Sequence, residues 1–168
     1  MELISWHNII ELQNPDELEI PVENGDCVAA MILNSDLKIL LVKENHHKDK
    51  PWSVVTETCD NHDKTVGSVL QRAIAEEVTS EPENFSYIPK TYANYQLDNA
   101  TKLHAVAVFC QNHEEVDLKP VDPTEIIGYQ WVDLIQLDNL NQVGELEPEV
   151  VGFCQWMLQN LGSDGINF

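Results

Sequence analysis

The segment KTVGSVLQRAIAEEVTSEP, Lys64 to Pro82, is the most informative stretch of the 168-residue chain. Thr65 offers a side-chain oxygen to cap a helix start, and Glu81-Pro82 supplies a stop, because the residue before a proline is pushed out of helical backbone. At about 100° per residue from Val66, the residues Val66, Val69, Leu70, Ala73, Ile74 and Val78 fall between about 300° and about 120°. Glu77 lands at about 20°, inside that apolar arc, with Glu76 at about 280° on its edge and Arg72 at about 240°. A carboxylate on a buried stripe costs on the order of several kcal/mol unless it is protonated, paired or bound to a cation. Glu77 is therefore a site candidate. The plainer alternative is a solvated helix end with an Arg72–Glu76 contact worth a few tenths of a kcal/mol. Scarcity argues against it: Arg72 is the only arginine in the sequence, and a planar, permanently charged donor beside two carboxylates is suited to holding one of them.

Working outward, CVAAMIL (Cys27–Leu33) and LKILLVK (Leu37–Lys43) flank the turn residues Asn34-Ser35-Asp36 and read as a β-hairpin, apolar on much of both faces. The polar loop ENHHKDKP, with His46 and His47, leads into a short strand, WSVVT (Trp52–Thr56). Strands are expected around Ser86 to Leu97, Lys102 to Gln111 and Ile126 to Val132, the last preceded by the acidic, proline-broken loop HEEVDLKPVDPTE. The ending PEVVGFCQWMLQNLG places Val150, Phe153, Cys154, Met157, Leu158 and Leu161 at helical spacing, with Pro148 at a tolerated start and Gly162 at a favoured end. Met157 and Trp156 read as packing residues. Strands with two helices, one central and one terminal, give an α/β (α+β) fold, a sheet covered by helices.

Nine basic residues against 29 acidic ones give a formal charge of −20 and a pI near 4.3. Direct nucleic-acid binding is disfavoured, since phosphate contacts need a basic surface, and so is an anionic membrane. The hydrophobic fraction of 43% is that of a folded domain. Cys27, Cys59, Cys110 and Cys154 lie far apart without zinc-ligand spacing. No segment approaches the ~20 apolar residues that span a bilayer, so a cytoplasmic protein with reduced thiols is expected. Residues 1–24, with Trp6, Ile9 and Ile10, are read as an arm packing on its own sheet or on a partner, and residues 25–168 as a single domain.

Trp52, a strand, a loop, a Thr-capped helix and Arg72-Ala73-Ile74-Ala75-Glu76-Glu77 resemble the Nudix hydrolase family, whose box reads G-x5-E-x7-R-E-U-x-E-E-x-G-U. Arg72, Ile74, Glu76 and Glu77 match; Thr58, Lys64, Ala73, Thr79 and Ser80 stand where the box has Gly, Glu, Glu, Gly and an aliphatic residue. The resemblance runs from about Gly25 to WVDLIQL, which looks like a Trp strand followed by a short turn. It implies a Nudix-like α/β/α sandwich and divalent-metal-dependent hydrolysis of a nucleoside diphosphate linked to another group. Hard cations such as Mg²⁺ or Mn²⁺ favour carboxylate oxygens and neutralise the diphosphate. Carried over residue by residue, Glu76 and Glu77 become metal ligands and Arg72 the residue that orients them. A further ligand or base comes from Glu114, Glu115 or Glu125 in the late loop, and Glu57, Asp60, His62 or Asp63 are candidates from the loop before the helix. His46 and His47 are candidates for phosphate contact. Dimers are common in the family, so a homodimer is an expectation. With −20 of charge, a nucleotide-like substrate should arrive with its cation or meet a loaded site. The five mismatches, Ala73 above all, supply the alternative: a binding or regulatory module on the same fold that has lost catalysis.

Overall fold

The computed structural model describes residues 9–12, 18–46, 49–88, 91–96 and 101–163; Trp6 and His47 lie outside them. Among the described residues, nine strands form one mixed sheet: β1 (Ile9–Leu12), β2 (Cys27–Leu33), β3 (Ile39–Glu44), β4 (Trp52–Ser53), β5 (Val55–Thr58), β6 (Phe85–Tyr87), β7 (Ala93–Gln96), β8 (Lys102–Cys110) and β9 (Ile126–Val132). Three helices cover it: α1 (Val66–Ala73), α2 (Leu134–Gln142) and α3 (Pro148–Ser163). The main path is β1-β7-β8-β2-β3-β4, with β5 paired to β2, β6 to β8 and β9 to β3. At its centre β2 and β8 run parallel, from Cys27 opposite Leu103 to Leu33 opposite Phe109.

Period-two alternation along these apolar strands feeds two cores. Ala29, Met31 and Leu33 of β2 join Leu137 of α2 and Val150, Phe153, Cys154 and Met157 of α3. Val28, Ala30 and Ile32 join Val66, Val69, Leu70 and Ala73 of α1. The central sheet is therefore buried on both faces, as its unbroken apolar runs require, and the expected sandwich is present. Met157 is fully buried, and Trp156 packs edge-on against Tyr95, both as packing residues.

The α1 start is built as expected, with Thr65 accepting from Ser68 N. The Leu18–Val22 segment docks there: Ile20 O accepts from Val66 N and Leu18 O from Gly67 N, both at 2.8 Å, so two free helix donors are taken by main chain. A Cβ on Gly67 would stand 2.9 Å from Leu18 O, which is why this position carries glycine.

The expected β2–β3 hairpin is present but short, closing through Leu33 opposite Ile39, after which β2 pairs with β5 and β3 with β4 and β9. Three expectations are corrected. The strand expected at Trp52–Thr56 breaks at Val54 into β4 on β3 and β5 on β2. That expected at Ser86–Leu97 divides into β6 and β7, which pair with opposite ends of β8. There are three helices among the described residues and not two: after β9 the chain forms α2 instead of a short turn, because Asp133 and Gln136 make a reciprocal capping box.

A buried polar network lies near the start of α1. His104 Nε2 is 2.9 Å from Asp26 Oδ2, Asp26 Oδ1 accepts from Lys102 N at 3.0 Å, and Asp26 Oδ2 accepts from Glu23 N at 3.1 Å. His104 Nδ1 shares a hydrogen bond of 2.8 Å with the Tyr92 hydroxyl, to which Asn94 Nδ2 donates. Burial pushes the Asp26 carboxyl up, but His104 and these N–H groups outweigh it and hold the group below its ordinary range.

Candidate active site

The helix that carries the two glutamates changes pitch where they begin. Ile74–Val78, IAEEV, is a π turn, closed by Thr79 N donating to Ile74 O at 3.0 Å, five residues back. One extra residue is thereby accommodated at the end of α1, a feature that recurs at functional sites. The late loop runs alongside as a strap. Lys119 N donates to Val78 O at 2.8 Å and Val121 N to Glu76 O at 2.7 Å; Thr79 Oγ1 donates to Asp117 O at 2.8 Å. Thr79, which replaces a glycine of the box, thus uses its hydroxyl to hold the strap. The Tyr129 hydroxyl, from β9, donates to Glu77 O.

Glu77 is half-buried, and its Oε2 is buried without a hydrogen-bond partner. Burial first, and then the charges of Glu57, Glu44, Glu125 and Glu76, push its carboxyl up to about 8. The charges of four other carboxylates are therefore felt at this one. Glu44 and Glu57 reach it by strand periodicity: each lies two residues beyond a core residue on the α1 face, Val42 in β3 and Val55 in β5. Glu125 is brought in by β9, since Asn45 N donates to Glu125 O at 2.9 Å and Ile126 pairs with Glu44. Glu76 is exposed on the rim. Burial also raises the Glu57 carboxyl against the opposing pull of Arg72, with Glu76 and Asp63 adding to the rise.

Among the described residues, the hydrogen bonds and ion pairs of Arg72 run to the segment before α1 and not along the helix to Glu76 or Glu77. Its Nη1 donates to Asp63 Oδ1 at 2.5 Å and lies 3.9 Å from Asp60 Oδ2; its Nη2 donates to Thr58 O at 3.3 Å and lies 3.7 Å from Glu57 Oε1. The guanidinium ties the loop before α1 to the helix, because the side chain leans back toward the helix start. Asp63, one residue before the box position held by Lys64, supplies its closest carboxylate. The carbonyl of Thr58, at the first glycine position, is turned to Arg72. Ala73 is 2% exposed among apolar residues, so no carboxylate is accommodated there without burying charge.

Of the late-loop candidates, Glu125 joins the cluster, whereas Glu114 and Glu115 line a separate polar recess with Asp36 and His113. His62 is exposed in the loop before α1. His46 lies 3.8 Å from Glu44, at the rim. Glu44 is the residue that reading the sequence missed; its signal was the two-residue step from Leu40 through Val42, which points it to the α1 face.

The donor set is all oxygen and anionic, and an orphaned buried carboxylate oxygen lies among like charges, so the residues suit a hard divalent cation. Among the described residues, no three His, Cys, Asp or Glu side chains already stand close enough to hold one ion.

The sequence matches the NUDIX domain over residues 23–156. A comparison with curated proteins gives no match. Solved structures similar in fold include a C. elegans Ap4A hydrolase binary complex, with 13% identity, a TM-score of 0.63, and coverage of 82% of this chain and 99% of that one. The MutT protein from Methanosarcina mazei Go1 has 20% identity and a TM-score of 0.55 over 85% of this chain and 97% of that one. The E. coli dihydroneopterin triphosphate pyrophosphohydrolase has 15% identity and a TM-score of 0.55 over 83% and 99%.

Proposed function

Because the chain belongs to the NUDIX domain family, hydrolases that generally use divalent metal ions on nucleotide-like diphosphates, we propose that it is a Mg²⁺- or Mn²⁺-dependent pyrophosphohydrolase whose cation is held at Glu77. The observation that carries this reading is the unpartnered Oε2 of Glu77, under the charges of Glu57, Glu44, Glu125 and Glu76. In this reading Glu77, Glu57 and Glu44 are the ligands, with Glu76 exposed at the rim. A bound cation supplies charge neutralisation at the diphosphate oxygens. Arg72, paired with Asp63 and Glu57, ties the loop after β5 to the helix beside Glu57, and so acts as a positioning residue. Glu125, exposed directly before β9, is proposed as the further ligand or base. The substrate is proposed as a nucleoside diphosphate linked to another group.

Location in the cytoplasm is proposed with it. The four cysteines are free thiols, as a reducing compartment keeps them. No helix among the described residues is long and apolar enough to cross a membrane.

The test is turnover of a panel of nucleoside diphosphate derivatives, Ap4A and dihydroneopterin triphosphate included, with Mg²⁺ or Mn²⁺. Glu77→Gln is expected to lower kcat by about 100-fold or more, roughly 2.7 kcal/mol of transition-state stabilisation, and to weaken Mn²⁺ binding measured by electron paramagnetic resonance. No turnover across the panel, together with unchanged Mn²⁺ affinity in Glu77→Gln, would overturn the reading. A second reading, a Nudix-fold binding or regulatory module, draws on the apolar setting of Ala73 and the engagement of the Thr58 carbonyl by Arg72. Tight Mn²⁺ binding through Glu77 without turnover would select it.

A further inference from the structure

Three consecutive carbonyls at the end of α1 find partners outside the helix. Glu76 O and Val78 O accept from the main chain of the strap, at Val121 N and Lys119 N. Glu77 O alone accepts from a side chain, the hydroxyl of Tyr129. The two strap bonds come from an exposed loop, whereas Tyr129 is in β9, opposite Val42 of β3. The strand that holds Tyr129 is thus paired with the strand that carries Glu44, and Glu125 directly precedes it. A π turn is a rare geometry found mostly as single-turn bulges, and a partner fixed on a sheet strand holds its carbonyl more firmly than a loop does. In an α turn the same residues would be wound by a different angle, and the Glu77 side chain would leave its present direction.

We propose that Tyr129 is a positioning residue: its bond to the main-chain carbonyl of Glu77 sets the π turn and, through it, aims the Glu77 carboxylate at Glu44, Glu57 and Glu125. This rests on the reading of that cluster as a cation site. Tyr129 touches no reacting atom in this arrangement, and its hydroxyl is already engaged.

The experiment uses Tyr129→Phe, which keeps the ring and loses the donor, and replacement of Tyr129 by 4-aminophenylalanine, which keeps a donor. In the cation-free protein, hydrogen exchange is measured at the Thr79 amide, which closes the π turn on Ile74 O, with β8 amides as the check on global folding. Tyr129→Phe is expected to speed Thr79 exchange by about 10-fold while β8 stays protected, and to weaken Mn²⁺ affinity by about 10-fold, the scale of a lost ligand-orienting contact. The amino analogue is expected to restore both. Unchanged Thr79 exchange in Tyr129→Phe overturns the proposal. So does faster Thr79 exchange with unchanged Mn²⁺ affinity, provided Glu77→Gln does weaken Mn²⁺ binding. If Glu77→Gln leaves Mn²⁺ affinity untouched, the cation-site reading fails instead, and Thr79 exchange alone then decides whether Tyr129 sets the turn.

Discussion

Two carboxylates withdrawn from water lie at opposite ends of α1, and their surroundings treat them in opposite ways. Asp26, 3% exposed, receives His104 and two main-chain N–H groups and is held as an anion. Glu77 receives no donor at its buried Oε2, feels the charges of four carboxylates, and has its carboxyl pushed up to about 8. Burial acts in the same direction on both. What differs is whether the fold brings donors or like charges to the buried oxygen. Every donor at the Asp26 carboxylate comes from the chain itself, whereas the buried Oε2 of Glu77 has none among the described residues.

The contrast is broken most severely at Asp26. Asp26→Ala strips partners from His104, Lys102 N and Glu23 N, and is expected to cost about 3–5 kcal/mol at pH 7, as for a buried pair that loses one member. Urea unfolding measures this. Because the folded carboxyl lies below its ordinary 3.8, its contribution is present above that pH and disappears as the solution is acidified through the folded value. A loss under 1 kcal/mol at pH 7 would mean that water replaces the network freely.

At Glu77 the sign reverses. Its folded carboxyl keeps a proton up to about 8, against an ordinary value of 4.5, so cation-free protein loses stability as pH rises from about 4.5 to about 8. Glu77→Gln removes that slope and is expected to gain about 1–3 kcal/mol at pH 8 in the presence of chelator. Parallel pH curves for the two proteins would show that the four neighbouring carboxylates do not load Glu77. The smallest effect belongs to Arg72, half-buried between the regions. Arg72→Lys keeps the charge but loses the fork shared by Asp63 and Thr58 O, and a loss of about 0.5–1 kcal/mol in urea unfolding is expected. A loss above about 2 kcal/mol would place it with Asp26 as part of the structural frame.

Glu77 was legible in the sequence because a 3.6-residue period leaves a charge on an apolar arc conspicuous. Glu57 and Glu125 were legible only as members of acidic loops, where chemistry cannot rank one carboxylate over the next; strand pairing does that. For the same reason the partner of Arg72 was misread. Glu76 lies one turn along the helix, but Asp63 is delivered by a loop whose path no local pattern states, and Glu57 by the pairing of β5 with β2. The π turn has no residue signature, since IAEEV suits an α-helix equally well. In the Asp26 network, His104, Tyr92 and Asn94 meet through the pairing of β7 with β8, which alternation alone does not register. By contrast α2 was readable, as Asp133 and Gln136 form a capping box that was passed over.

The central β2–β8 pair also governs when the molecule becomes itself. Cys27 and Leu103 are 103 − 27 = 76 residues apart yet adjacent in the sheet, and a parallel pair offers no hairpin from which to zip. Closing such a distance is entropically slow, and the ordering of α1 over the sheet follows it. The cluster gathers residues 44, 57, 76, 77 and 125 from both sides of that closure. Partly folded chains therefore carry the acidic residues but not the cluster, and if the proposed cation site is right, cation retention reports that this closure has been made.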